Sequence, residues 1–368
     1  MEGKYTRNKF LLFLILLVAF FGGFCTVSDS ARSPALFIFG DSLIDNGNNN
    51  YIPAIARANY PPYGIDIGGP TGRFCNGLTV PDYAARYLGL KSPPPYLSLS
   101  SKSNLILRGV NYASAAAGIL DETGKHYGSR VTMNEQIALF VSTLRIQLPL
   151  LIKNQGTLSK YIADSLFMIN IGSNDYINNY LLPLLYNSRS IYSSDAFAKL
   201  LINNLSRQLA SLYRLGARKF VVTGVGPLGC IPSQLAMNKT TTGQCIDSVN
   251  DLVMTFNCHL VQLVSQLNST LSGSFFVYED VYSPFTEMVN NPSKYGFTEV
   301  KQACCGNGQY GGGITCLPLQ TPCAARDKYV FWDAFHPTQA VNAIIAAGCF
   351  GENATDCRPI SGSMLAQL

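Results

Sequence analysis

Residues 36–48 read Leu36-Phe37-Ile38-Phe39-Gly40-Asp41-Ser42-Leu43-Ile44-Asp45-Asn46-Gly47-Asn48. A short apolar run without a polar interruption reads as a strand buried on both faces. It leads straight into Gly40-Asp41-Ser42. Open α/β sheets build their sites at the carboxyl ends of such strands, so Ser42 stands where a nucleophile is wanted. Near the other end of the chain, Trp332-Asp333-Ala334-Phe335-His336-Pro337 offers a carboxylate and an imidazole three residues apart. Serine, histidine and aspartate together are the parts of a nucleophilic hydrolase.

Working outward, short β-rich runs recur at 35–39, 166–171, 219–223 and 275–278. Between them lie stretches with helical periodicity. Ile137, Phe140, Val141, Leu144, Leu148 and Leu151 mark 134–152; equivalent stripes mark 195–215 and 249–267. Strands alternating with helices predict an α/β fold, a three-layer α/β/α sandwich around a mainly parallel sheet. The proline-rich pieces 60–63 and 92–96 and the glycine-rich stretch 304–323 read as surface loops. No repeat and no composition break divides 31–368, which is expected to be a single domain.

Of the 368 residues, 47% are apolar and 13% charged, a balance that suits a large core. The net charge of +5 is spread thinly, which argues against a nucleic-acid partner. Lys4, Arg7 and Lys9 precede an apolar run from Phe10 to Phe21, and small or polar residues follow to Ser30. That pattern is a secretory signal peptide over 1–30; a bilayer span needs about 20 apolar residues, so no stable membrane span is expected. Eleven cysteines are present, and Cys25 leaves with the signal. The ten that remain (Cys75, Cys230, Cys245, Cys258, Cys304, Cys305, Cys316, Cys323, Cys349 and Cys357) imply disulfides of unspecified pairing. Four sequons, at Asn204, Asn238, Asn268 and Asn353, fit the same compartment. No histidine pair at helical spacing and no phosphate-binding loop occurs, so neither a metal nor an organic cofactor is expected.

The common Gly-x-Ser-x-Gly elbow is absent. Four other blocks occur in order: Phe39-Gly40-Asp41-Ser42-Leu43-Ile44-Asp45-Asn46-Gly47-Asn48-Asn49; Gly109-Val110-Asn111-Tyr112-Ala113-Ser114-Ala115-Ala116-Ala117-Gly118-Ile119-Leu120; Ile171-Gly172-Ser173-Asn174-Asp175-Tyr176; and Asp333-Ala334-Phe335-His336-Pro337. With them the chain resembles the plant-type GDSL esterase/lipases of the SGNH hydrolase superfamily, over nearly all of its mature length. The resemblance implies a flavodoxin-like sandwich. It implies Ser42 as nucleophile, His336 as general base and Asp333 as the acid that orients it. It also implies an oxyanion hole from the Ser42 N–H, the Gly118 N–H and the Asn174 side-chain amide. The second block departs from its relatives, which carry more glycines where this chain has Ala115-Ala116-Ala117.

Each residue has a plainer use. Ser42 and Asp333 could cap helices, and Asn174 and Asp175 could form turns. His259 lies in an amphipathic stretch and is expected to pack. His126 falls in a loop with no acid at useful spacing. Asp41, Asp45 and Asn46 read as groups that order the loop. The expected activity is that of a secreted, extracellular esterase or lipase, of cell wall or apoplast. It would act on lipid, polyester or acylated carbohydrate through an acyl-serine. An acyltransferase using the same residues and a non-catalytic binding protein are the alternatives.

Overall fold

Apolar runs become the strands of one sheet. β1 (Leu36–Gly40), β2 (Leu166–Asn170), β3 (Lys219–Thr223) and β4 (Phe275–Glu279) lie side by side in that order and run parallel. A two-residue β5 (Cys357–Arg358) closes the far edge antiparallel to β4. The computed structural model describes residues 33–368 apart from Ser101, and the expected signal at 1–30 lies outside the described residues.

The register puts Phe37, Phe167, Phe220 and Phe276 on one rung. Their rings follow one another at 5.1, 5.6 and 4.2 Å between centroids, all fully buried. Burying each such side chain is worth about 1.5–3 kcal/mol. This row is the spine of the core. β1 is not an edge either. The Ile38 N–H donates to the Val110 carbonyl (3.0 Å), and the Tyr112 N–H donates to the Ile38 carbonyl (2.8 Å). If the segment 110–112 is taken as second in chain order, the parallel strands run 2-1-3-4-5, with the antiparallel β5 sixth at the far edge. That order reverses at β1, where open α/β sheets leave a crevice at their carboxyl ends.

Helices flank the sheet on both sides. The main ones are α1 (Val80–Tyr87), α2 (Met133–Ser142), α3 (Ser194–Arg214), α4 (Asp247–Thr270) and α5 (Gln339–Phe350). α3 packs on α4, and α1 packs on α5. The periodic stretch 134–152 is not one α-helix. α2 ends at Ser142, and the Leu148 N–H reaches back five residues to the Thr143 carbonyl before a last short turn, Leu148–Leu151. Pro149 has no N–H to offer a regular ladder. Thr143 is also held, because its hydroxyl accepts from Tyr112 Oη at 2.8 Å.

Among the described residues, four disulfides form: Cys230–Cys245, Cys304–Cys323, Cys305–Cys316 and Cys349–Cys357. Two of them staple the glycine-rich loop 304–323. Cys75 and Cys258 stay as thiols, the first buried and the second exposed. Among the described residues, no helix is long and apolar enough to cross a membrane.

Candidate active site

Three strand ends and one C-terminal loop meet at the crevice. Gly40 ends β1 where a Cβ would lie 2.1 Å from the Asn170 carbonyl oxygen, so only glycine lets the two strands stay this close. Gln136 of α2 grips the same residue. Its Oε1 accepts from the Gly40 N–H, and its Nε2 donates to the Gly40 carbonyl, each at 2.8 Å. The turn carrying Ser42 thus leaves a fixed point.

The blocks are sewn together by buried side chains. Asp45 accepts from the N–H groups of Gly47 and Asn48 (2.7 Å each) and of Ala115 (3.2 Å). Asn48 donates to the Asn111 and Ala113 carbonyls. Asp175 accepts from the Ile119 and Leu120 N–H groups and from the Thr123 hydroxyl. Burial pushes Asp175 up to about 6 against those donors.

Ser42 Oγ lies 2.8 Å from His336 Nε2. On the far side of the ring, Nδ1 is 2.8 and 3.0 Å from the two oxygens of Asp333. An Nδ1–H held by a carboxylate leaves Nε2 free to accept the serine proton. Asp333 is fully buried. Its Oδ1 also accepts from the N–H groups of Phe335 (2.9 Å) and His336 (2.8 Å). Its Oδ2 accepts from Tyr63 Oη (2.6 Å) and Thr315 Oγ1 (3.1 Å). Burial disfavours the ionised form, yet the nearby His336 and these hydrogen bonds win and hold the carboxyl below its usual range. The Phe74 ring covers the imidazole at 5.0 Å between centroids.

Facing the serine is Asn174. Its Nδ2 donates to the Ala117 carbonyl (2.9 Å), and its Oδ1 accepts from Asn178 Nδ2 (2.6 Å), which fixes the amide. Ser42, Asn174, Ala116 and His336 line one cavity with Ile55, Ile177, Leu228, Ile231 and Phe335. Its space is about 820 Å³, open solvent included. A second recess shares Leu43, Ser173, Leu228, Ile231 and Phe335 with it and continues to Val281 and Phe285.

Gly118 is not part of the cavity wall. A Cβ there would meet the Thr123 methyl at 2.5 Å and Asp175 Oδ1 at 2.6 Å, so this glycine serves close packing behind the wall. Ala116 lies in the wall instead, with φ of 66°. Among the described residues, neither its N–H nor that of Ser42 donates to a protein acceptor.

Other expected residues fall elsewhere. His126 Nδ1 contacts Tyr186 Oη at 3.0 Å, away from the triad. His259 packs between two helices, as expected, and its Nε2 meets Asp195 Oδ1 at 2.8 Å, joining α4 to α3. Asp41 orders the turn through the Leu43 N–H (3.0 Å), while its Oδ2 has no partner and burial pushes it up to about 7. Tyr63, in a stretch read as surface loop, is 1% exposed because it reaches Asp333. Neither Tyr63 nor Thr315 carries a local sequence signal, since each acts through contact with a distant residue. Among the described residues, the one cluster with metal-type donors is Glu279, Cys349 and Cys357. Both its sulfurs are locked in a disulfide, which removes the thiolates a metal needs.

The family of GDSL-like lipases/acylhydrolases matches residues 36–348. The chain belongs to that family. "GDSL esterase/lipase 7" of Arabidopsis thaliana is 56% identical over 363 residues, 98% of this chain and all of the relative. A second Arabidopsis thaliana GDSL esterase/lipase is 48% identical, covering 97% of this chain and 93% of its own. Among solved structures, an extracellular lipase from Streptomyces rimosus matches at 14% identity and a TM-score of 0.32, over 85% of this chain and 94% of that one. Family membership rests on the first three matches.

Proposed function

We propose that this GDSL-family protein is a secreted serine esterase or lipase that cleaves carboxylic esters through an acyl-enzyme on Ser42. The carrying observation is the unbroken relay from Ser42 Oγ through His336 to Asp333. His336 Nε2 takes the Ser42 proton as Oγ attacks the ester carbonyl carbon. The carbonyl oxygen becomes an oxyanion facing the Asn174 amide and the Ser42 N–H. For the third donor, the cavity wall favours the N–H of Ala116 over that of Gly118. Each such donor is typically worth about 3 kcal/mol at the transition state. Collapse breaks the bond to the alcohol oxygen, which receives the proton from His336. Water then repeats the sequence, with His336 again as base, and frees the acid. The four disulfides support a secreted, oxidising setting.

Ser42→Ala removes one oxygen and should leave the fold intact. Hydrolysis of a short-chain p-nitrophenyl ester by the pure variant, alongside its melting curve, tests the reading. Activity is expected to fall at least about 10³-fold. Retention of most of the activity at an unchanged melting temperature would place the nucleophile elsewhere.

A further inference from the structure

The catalytic cavity holds a cation that its ester chemistry leaves unused. Arg57 lies in the wall with Ile55, Ala56, Tyr60 and Tyr127. Among the described residues, no carboxylate pairs with it within 4.0 Å. Its Nη2 donates to the Ile52 carbonyl, and its Nε is buried without a partner. A guanidinium has five N–H donors, so most of this one is uncommitted. Holding such a group half-buried beside apolar side chains costs free energy that the protein does not offset with a counter-charge. Capping one carbonyl would need only a neutral donor.

The position of Arg57 is built. Asn49 Nδ2 donates to the Ala56 carbonyl (2.9 Å), and the Gly72 N–H donates to the Ala58 carbonyl (3.1 Å). These bonds fix the residues on both sides. The Ile55 N–H donates to the Tyr127 carbonyl (2.8 Å), and the Ser129 N–H to the Pro53 carbonyl (3.2 Å), tying this loop to the opposite rim. Of the other polar groups in the wall, Tyr60 Oη donates to the Cys316 carbonyl, and Asp41 accepts from the Leu43 N–H through Oδ1 while its Oδ2 keeps no partner. A preorganised fork with free N–H groups is what a planar or tetrahedral oxyanion recognises.

We infer that Arg57 is a specificity residue, and that the natural substrate is an ester with a carboxylate or phosphate elsewhere in the molecule. The inference rests on the assignment of Ser42 as nucleophile and adds the substrate class to it. The anion pairs with the guanidinium while the apolar walls take the rest of the molecule. Arg57 touches no reacting atom.

Two matched pairs of soluble esters separate the sources of the charge. p-Nitrophenyl pentanoate against mono-p-nitrophenyl glutarate varies a carboxylate on the acyl side. 1-Butyrylglycerol against 1-butyrylglycerol 3-phosphate varies a phosphate on the alcohol side. The readout is the ratio of kcat/KM, anionic over neutral, so an effect common to both members cancels. The wild type should favour the anionic member of at least one pair by about tenfold, a modest value for a charge-assisted hydrogen bond. Arg57→Gln should bring that ratio to about one or below, and Arg57→Lys should keep part of it. Should Arg57→Gln fail to fold, the lysine variant still gives the direction. Neutral esters cleaved without any preference, or a preference that survives in Arg57→Gln, would overturn the Arg57 assignment alone. A wild-type protein inert toward all four esters would overturn it together with the nucleophile.

Discussion

Asp333 shows how much of this site depends on single residues from remote parts of the chain. Tyr63 donates to it across 270 positions of sequence. The bond fixes one oxygen of the carboxylate that meets His336 Nδ1. Tyr63→Phe removes the donor and keeps the ring. Tyr63 is absent from the cavity wall, so KM should change little while kcat falls roughly tenfold, the scale of one hydrogen bond to a charge. Steady-state kinetics with a neutral ester and a melting curve on the same preparation check this. An unchanged kcat with lower thermal stability would make Tyr63 a packing residue only.

At the scale of elements, the four sequons are not equivalent. Asn268, on α4, uses its whole amide to hold β4: Nδ2 donates to the Phe276 carbonyl and Oδ1 accepts from the Phe276 N–H, each at 2.7 Å. A glycan on that nitrogen is incompatible with the clamp. Asn204 is half-buried on α3 and donates to the Leu200 carbonyl. Asn238 and Asn353 are exposed at turns. In protein folded through a secretory pathway, glycopeptide mass spectrometry should find Asn353 and Asn238 occupied and Asn268 bare. Asn268→Gln should lower the melting temperature by about 1–3 °C, since a loss of about 1–2 kcal/mol moves a domain of this size by that much. A glycan on Asn268 of the folded protein would contradict the clamp.

Across the whole molecule, buried carboxyls set how stability responds to pH. Glu279 ends β4 facing Thr223, its partner in register on β3, and accepts from the Thr223 hydroxyl at 2.6 Å. Its other oxygen has no partner, and burial pushes the group from its usual 4.5 to about 7. The folded state therefore holds a proton that the unfolded chain gives up. Stability is lost as pH rises from about 4.5 through about 7. Asp41 acts in the same sense between 3.8 and about 7. The melting temperature should be lower at pH 8 than at pH 5.5, and Glu279→Gln should shrink the gap by raising the value at pH 8. A gap that the variant leaves unchanged would assign the pH response to other groups.

The sheet was legible in the sequence because its strands are local facts. Four short β-rich runs, three of them ending at glycine-containing turns, read as central strands between helices. The residues of the relay were legible for a similar reason, since Gly40-Asp41-Ser42 and Asp333-Ala334-Phe335-His336 are short patterns with chemistry in them. The tertiary structure alone decided what surrounds them. It joined Tyr63 and Thr315 to Asp333 and closed Gln136 on Gly40. It also placed Ala116 rather than Gly118 in the cavity wall, paired eight cysteines and left Arg57 without a counter-charge. Those outcomes depend on which distant segments share one small volume, and a hydrogen-bond partner hundreds of residues away leaves no mark on the sequence around it. Periodicity says which face of an element turns inward; only packing says what it meets there.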